Sequence, residues 1–124
     1  MYGRRVGKSL TEKKKYFLKE KLAIFGINLN SILHYLTTLK EKNKNNIVLE
    51  IGFGSGENLR YQLEKTKKTI FIGSEIFLNG IVNFLTLLEN YHKKRIKIFN
   101  EDVRLLLEIL PNKIFSKIFI LFPD

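Results

Sequence analysis

The chain has 124 residues, with 22 lysines and arginines against 12 aspartates and glutamates, which gives a formal charge of +10. That length fits one domain, and no uninterrupted apolar run approaches the roughly 20 residues that a membrane-spanning helix needs. Cysteine is absent, which excludes disulfides, thiolate catalysis and cysteine-based metal sites and is compatible with a reducing cytoplasm.

A basic segment opens the chain, because residues 1–22 contain eight lysines and arginines and only two acids. Such a segment attracts polyanions, and its binding depends on salt because counterions are released. A lysine-rich solvated face without a partner explains the same composition equally well. Charge alone therefore leaves a nucleic-acid partner and a plain solvated surface as equal alternatives.

Two helices are predicted in the first part of the chain. Ser9 stands three residues before Glu12, the spacing of a capping box, and this predicts a helix over 11–22. Apolar residues at helical spacing predict a second helix over 31–39. The lysine- and asparagine-rich stretch 40–46 then indicates a solvated loop.

From residue 46 onward, short apolar runs alternate with segments of helical spacing. The apolar runs predict four strands, over 47–51, 70–75, 95–99 and 117–122. The segments between them predict helices around 59–66, 81–91 and 103–110. Alternation of this kind predicts the α/β fold class, with a parallel sheet covered on both faces. We divide the chain into a basic arm with helices, 1–45, and the alternating region, 46–124.

A glycine-rich loop lies between the first of these strands and the helix after it. Gly52, Gly54 and Gly56 let the backbone turn tightly and approach a ligand, and free N–H groups at the helix start favour an anionic group. The third glycine of the dinucleotide fingerprint is replaced by Glu57, whose carboxylate argues against a pyrophosphate here. A tight strand-to-helix turn without a ligand is the simpler alternative.

Acidic residues follow the other strands, at the edge where parallel sheets bind ligands. Glu75 ends the second strand, where its carboxylate can accept hydrogen bonds from both hydroxyls of a ribose. Asp102 follows the third strand, where a carboxylate can accept from an adenine amino group, and the adjacent Glu101 leaves that assignment open. Favourable charge at a helix N-terminus is the alternative for Asp102 and Glu101, and a solvent-exposed acid at a strand end is the alternative for Glu75. Asp124 follows the fourth strand at the same rim.

Several stretches in chain order resemble the successive motifs of the bacterial tRNA (guanine-N7-)-methyltransferase family. They are residues 49–57, 71–75, 102 and 121–124, and residues 2–8 resemble that family's N-terminal arm. The resemblance runs over nearly the whole chain. It implies a class I, Rossmann-like methyltransferase fold that uses S-adenosylmethionine to methylate N7 of a guanine in the variable loop of tRNA.

The resemblance also implies roles for individual residues. The cofactor contacts would be Glu50, Gly52, Gly54, Glu75, Asp102 and Asp124. Asp124 would also be the catalytic residue nearest the chemistry, and tRNA phosphates would be bound by Arg4, Arg5 and Lys8. The two histidines are too few and too far apart in sequence to suggest a metal. We expect tRNA as the partner, no membrane and no metal, and a cytoplasmic location, and we leave the oligomeric state open.

The family continues after Phe-Pro-Asp with further strands, so we expect this chain to be the N-terminal half of the methyltransferase domain. A strand order of 3-2-1-4, usual for related sheets, leaves the apolar run 117–122 at an edge, which predicts poor solubility. The alternatives are another class I methyltransferase with a different acceptor, and an inactive RNA-binding fragment.

Overall fold

The computed structural model describes residues 9–43, 46–111 and 113–121. Its elements in chain order are α1 (Glu12–Phe25), β1 (Gly26–Ile27), α2 (Leu29–Asn43), β2 (Ile47–Ile51), α3 (Glu57–Lys65), β3 (Ile70–Ser74), α4 (Leu78–Thr86), a 3₁₀-helix (Asn90–Lys94), β4 (Ile96–Phe99), α5 (Val103–Ile109) and β5 (Lys117–Ile120). None of the described helices is both long and apolar enough to cross a membrane.

The strands form one sheet in the order β1-β4-β3-β2-β5, and every neighbouring pair is parallel. The predicted α/β class with a parallel sheet is therefore confirmed. The four predicted strands also lie in the expected order, 3-2-1-4. The sheet has a fifth strand, β1, where about four were expected. It pairs with β4 through Gly26 and Ile27, and two residues are too few to show a strand pattern in the sequence.

Side chains of the strands alternate between two buried faces, as the pleat requires. On one face Val48 and Phe71 pack with the apolar sides of α1, α3 and α4. On the other face Leu49 and Ile72 pack with α2 and α5. Because α1 contributes buried residues to the first core and α2 to the second, the first part of the chain is folded onto the sheet. The division of the chain at residue 46 stays a prediction.

The first helix begins at Glu12, one residue after the predicted start, and its N-cap lies two residues beyond Ser9. Thr11 is the N-cap, and its hydroxyl accepts a hydrogen bond from the backbone N–H of Lys14 at 3.2 Å. The predicted capping role of Ser9 is therefore wrong. The helix continues to Phe25, beyond the predicted end, and the N–H of Gly26 then donates to the carbonyl of Leu22.

The second helix is longer than predicted at both ends. Asn28 precedes it and accepts from the N–H of Ser31 at 3.1 Å through its side chain, which is the bond of an N-cap. The helix extends to Asn43, so most of the predicted loop over 40–46 is helical. Lysines in that last turn interact favourably with the helix dipole, which the loop interpretation overlooked.

One further helix differs from the sequence pattern at both its start and its end. The helix predicted over 81–91 is α4, which starts at Leu78 and ends at Thr86, and a separate 3₁₀-helix follows. The last strand, β5, lies at the sheet edge as predicted, with Ile118 and Ile120 about half exposed, at 48% and 52%.

Candidate ligand site at the carboxyl edge of the sheet

The glycine turn after β2 has a backbone that other residues adopt only with strain. Gly54 has a φ of +63° and Gly56 a φ of +80°, in the left-handed region that disfavours a side chain. A Cβ on Gly54 would meet no atom within 4 Å, so this side of the turn faces open space. The main chain is thus presented to the surroundings at Gly54 without an obstructing side chain.

Glu75, directly after β3, fixes this turn. Its Oε1 accepts from the N–H of Gly54 at 2.7 Å. Its Oε2 accepts from the N–H groups of Ile76 and Phe77 at 3.1 and 3.0 Å. A carboxylate has about four lone-pair sites, and the described residues use three of them. One acceptor site therefore remains for a ligand hydroxyl, and binding both hydroxyls of a ribose requires one backbone donor to give way.

Glu50 lies in β2, shortly before the turn, and is completely buried. Its Oε1 accepts from the amides of Asn58 and Gln62 on α3, at 3.0 and 3.4 Å. Its Oε2 is buried and has no hydrogen-bond partner among the residues that the structure describes. Burial raises the pKa of Glu50, and the hydrogen bond from Asn58 partly offsets that rise. The site therefore offers one unsatisfied acceptor that a cationic N–H donor would stabilise.

Asp102 and Glu101 follow β4 and face different partners. Asp102 is the N-cap of α5 and accepts from the backbone N–H of Arg104 at 2.9 Å and from its guanidinium at 2.6 Å. These bonds, the side-chain bond first, lower the pKa of Asp102 to about 2. Glu101 instead accepts from the N–H of Leu29, at the start of α2, at 2.9 Å. Both acids thus have structural partners, as the helix-terminus alternative proposed.

The three carboxyl ends meet at one rim because β4, β3 and β2 are neighbours in the sheet. The structure joins the glycine turn directly to Glu75, and it places the segment containing Asp102 after the next strand along. The remaining predicted residues, Arg4, Arg5, Lys8 and Asp124, lie outside the described part of the chain. No group of three or more metal-binding side chains occurs among the described residues.

A cavity of about 350 Å³ opens at the same edge, between β1, β4 and the start of α2. Its polar lining includes Asn28, Ser31, Asn100 and Glu101. Sequence reasoning missed this cavity because it missed β1. The spacing of Asn28 and Ser31, which is that of a capping residue and its partner, was the available signal. Asn58 and Gln62 were also missed, since only the folded chain brings them to Glu50.

Comparison with known proteins gives one family and several relatives. A family described as "putative methyltransferase" matches residues 44–124. The tRNA (guanine-N(7)-)-methyltransferases of Neorickettsia sennetsu and Bartonella henselae are 38% and 36% identical over 99% of this chain, which covers 51% and 54% of them. A bifunctional methyltransferase of Rickettsia prowazekii is 37% identical, with 22% of its length covered. The chain thus spans about half the length of the first two relatives.

Proposed function

Because the chain belongs to the methyltransferase family that matches residues 44–124, we propose that it forms the methyl-donor half of a tRNA (guanine-N7-)-methyltransferase. The similarity to enzymes of that name over 99% of the chain supports the tRNA acceptor. The observation that carries the donor site is the glycine turn bonded to Glu75, with the unsatisfied Glu50 oxygen before it. We place this function in the cytoplasm.

The residues present fit S-adenosylmethionine, which combines a cationic amino group, ribose hydroxyls and an adenine. The Oε2 of Glu50 suits the amino group, since none of the described residues donates a hydrogen bond to it. The remaining acceptor site of Glu75 suits a ribose hydroxyl. Gly52 and Gly54 let the backbone approach the ligand. We assign the adenine amino group to Asp102. Its carboxylate would accept a hydrogen bond from that amino group in place of one from the guanidinium of Arg104.

When bound, S-adenosylmethionine supplies a methyl group on a positively charged sulfur. Guanine N7 already carries a lone pair, so no residue of the chain has to remove a proton before attack. The protein therefore contributes mainly by orienting the two reactants. Methylation makes the guanine ring positive, and we assign to Asp124 a hydrogen bond from the N1–H or amino edge that stabilises this charge. Arg4, Arg5 and Lys8 bind tRNA phosphates in this proposal, which positions the RNA without reading its sequence.

Calorimetric titration of the chain with S-adenosylmethionine tests the donor site, and an unrelated nucleotide such as NAD serves as the control. We expect saturable binding of the first and none of the second. Transfer of a labelled methyl group to unmodified tRNA, with strand cleavage specific for 7-methylguanosine, tests the acceptor. Donor binding accompanied by methylation at another tRNA position would refute the N7 assignment, and absence of donor binding would refute the site.

Substitution of Asp124 separates orientation from binding. In the intact protein we expect Asp124→Ala to lower turnover by at least tenfold while donor affinity changes less, because the stabilised charge develops only during the reaction. Measuring turnover and donor affinity on the same preparation gives both values. Equal losses in the two would make Asp124 a simple contact of the donor.

A further inference from the structure

The opposite edge of the sheet, where the strands begin, carries two exposed lysine pairs. Lys67 and Lys68 precede β3, and Lys93 and Lys94 precede β4. The two strands are parallel neighbours, with Phe71 opposite Ile96. Each pair therefore stands two to four residues before matched positions of adjacent strands. We call these four lysines the amino-edge patch.

Arg95 ties the two halves of the amino-edge patch together. Its Nη2 donates to the carbonyl of Leu63 at 2.6 Å. Its Nη1 donates to the hydroxyl of Thr66 and to the carbonyl of Thr69, both at 3.2 Å. These three bonds reach from the first residue after the 3₁₀-helix to the end of α3 and the loop before β3. The two lysine pairs therefore belong to segments that are joined by hydrogen bonds.

The charge around the amino-edge patch is strongly positive. Residues 60–69 and 89–95 contain seven lysines and arginines and two acids. Both acids are engaged, since Glu64 pairs with Arg60 at 2.9 Å and Glu89 caps the 3₁₀-helix. Among the described residues, none of the four patch lysines takes part in an ion pair. Their charges are therefore free to interact with an external anion.

Two exposed tyrosines belong to the same two segments of the chain, and the Nζ of Lys65 lies 5.3 Å from the ring centroid of Tyr61. Tyr61 on α3 is 57% exposed, and Tyr91 in the 3₁₀-helix is 64% exposed. Lysines bind phosphates, and exposed aromatic rings stack on unpaired bases. A membrane surface is favoured by an amphipathic helix with an apolar face, whereas the patch lysines lie in a loop and a short 3₁₀-helix. The combination fits a single-stranded nucleic acid better than a lipid headgroup surface.

We propose that the amino-edge patch is a nucleic-acid contact surface that binds the phosphate backbone of single-stranded RNA. It lies at the other end of the strands from the glycine turn, so it is separate from the donor site. Four phosphate contacts make the affinity steeply dependent on salt and independent of base identity.

Binding of a fluorescein-labelled 20-nucleotide oligouridine to the full chain over a potassium chloride series tests this surface. The probe contains no guanine, so its binding does not depend on a methyl acceptor. Neutralising the four lysines (K67Q/K68Q/K93Q/K94Q) is expected to weaken binding on the order of 100-fold at 0.1 M salt and to reduce the salt slope by about 3. Replacing the same four with arginine is expected to retain binding.

Four lysines of α1 provide the matched control, K13Q/K14Q/K19Q/K21Q, which removes the same charge from another surface; like the patch lysines, none of them takes part in an ion pair among the described residues. We expect at most about a threefold loss in that variant, because those charges act at a distance. Equal losses in the two variants would overturn the proposal, since binding would then follow net charge alone. Tighter binding to vesicles with 30% phosphatidylserine than to oligouridine would also overturn it. Titration with S-adenosylmethionine distinguishes this failure from failure of the donor site, which the patch variants leave intact.

Discussion

The two ends of the same parallel strands present opposite chemistry. At the carboxyl edge, the carboxylate of Glu75 is fixed by backbone N–H groups of the glycine turn and of the chain just beyond β3. At the amino edge, exposed lysines stand without ion-pair partners among the described residues. Fixed acceptors favour a small ligand of defined geometry, whereas exposed cations favour a long polyanion that makes many similar contacts.

Each end of the strands has a buried titratable group whose pKa is shifted by burial. Burial raises the pKa of Glu50, near the carboxyl edge. Burial also lowers the pKa of His92, in the 3₁₀-helix before β4. Both shifts favour the neutral form, but they act oppositely on stability when the pH changes. The two ends can therefore be tested separately by substitution and by pH.

The largest expected effect comes from breaking the packing of the glycine turn. A Cβ on Gly80 of α4 would lie 2.5 Å from the carbonyl oxygen of Gly54, and because that atom is backbone we expect Gly80→Ala to lower the free energy of unfolding by about 3 kcal/mol. Gly54→Ala is the matched control. Its Cβ has open space, so only the strain of its positive φ applies, about 1 kcal/mol. Urea unfolding measures both, and equal losses would contradict the tight contact between α4 and the turn.

Glu50→Gln sharpens the comparison because it removes a buried charge while keeping the shape of the side chain. We expect S-adenosylmethionine to bind at least about tenfold more weakly, since a charge-assisted bond is lost. We also expect the stability at pH 8 to stay the same or rise by about 1 kcal/mol, since a poorly satisfied buried carboxylate is removed. Calorimetry and urea unfolding measure the two effects. Glu57→Gln, at an exposed residue of α3, is the control, and a loss of stability in Glu50→Gln would show that its carboxylate is well satisfied.

The pH dependence separates the two ends by sign. A histidine with a lowered pKa in the folded state contributes stability that is lost as pH falls below its unfolded value near 6.5. A carboxyl group with a raised pKa contributes in the opposite direction, so Glu50 adds stability as pH falls toward about 4.3. Relative to the unsubstituted chain, we therefore expect His92→Gln to gain stability as the pH falls below about 6.5, and Glu50→Gln to lose stability as the pH falls toward about 4.3. The slope is at most about 1.4 kcal/mol per pH unit, and urea unfolding at several pH values would detect it. Parallel curves for the two variants would contradict these assignments.

The smallest expected effect concerns Asp102, whose pKa of about 2 depends first on its bond to the Arg104 side chain. In Arg104→Gln we expect this pKa to rise toward its ordinary value near 3.9, as followed by NMR titration of the carboxyl carbon. Loss of this exposed ion pair is expected to change the free energy of unfolding little. A pKa that stays near 2 would show that the backbone N–H at residue 104 is sufficient by itself.

The sequence predicted the elements whose pattern is local. β2 and β3 are apolar runs bounded by Gly52 and Glu75, and their order in the sheet follows from general rules for such folds. β1 could not be predicted, because two residues have no periodicity and their pairing with β4 spans some 70 positions. The same distance hides the bond between Glu101 and the N–H of Leu29.

The roles of the candidate site residues stay predictions, but the structure shows how far the sequence placed them. It predicted that Glu50 belongs to one strand and that Glu75 ends the next, but it did not predict which groups bond to them. The hydrogen bond between Glu75 and the N–H of Gly54 depends on the path of the glycine turn. That path depends on the positive φ values of the glycines, which the sequence permits but does not fix. The lysine pairs of the amino-edge patch were not singled out by the sequence analysis, and the bonds of Arg95 that join the two loops are seen only in the structure.

The two edges of the sheet differ in what they offer to a further strand. β5 has four residues with two half-exposed isoleucines, whereas β1 at the far edge has only two residues. Backbone N–H and C=O groups on the outer side of an edge strand can pair with another strand. A strand added to this sheet would therefore form more hydrogen bonds and cover more apolar surface beside β5 than beside β1.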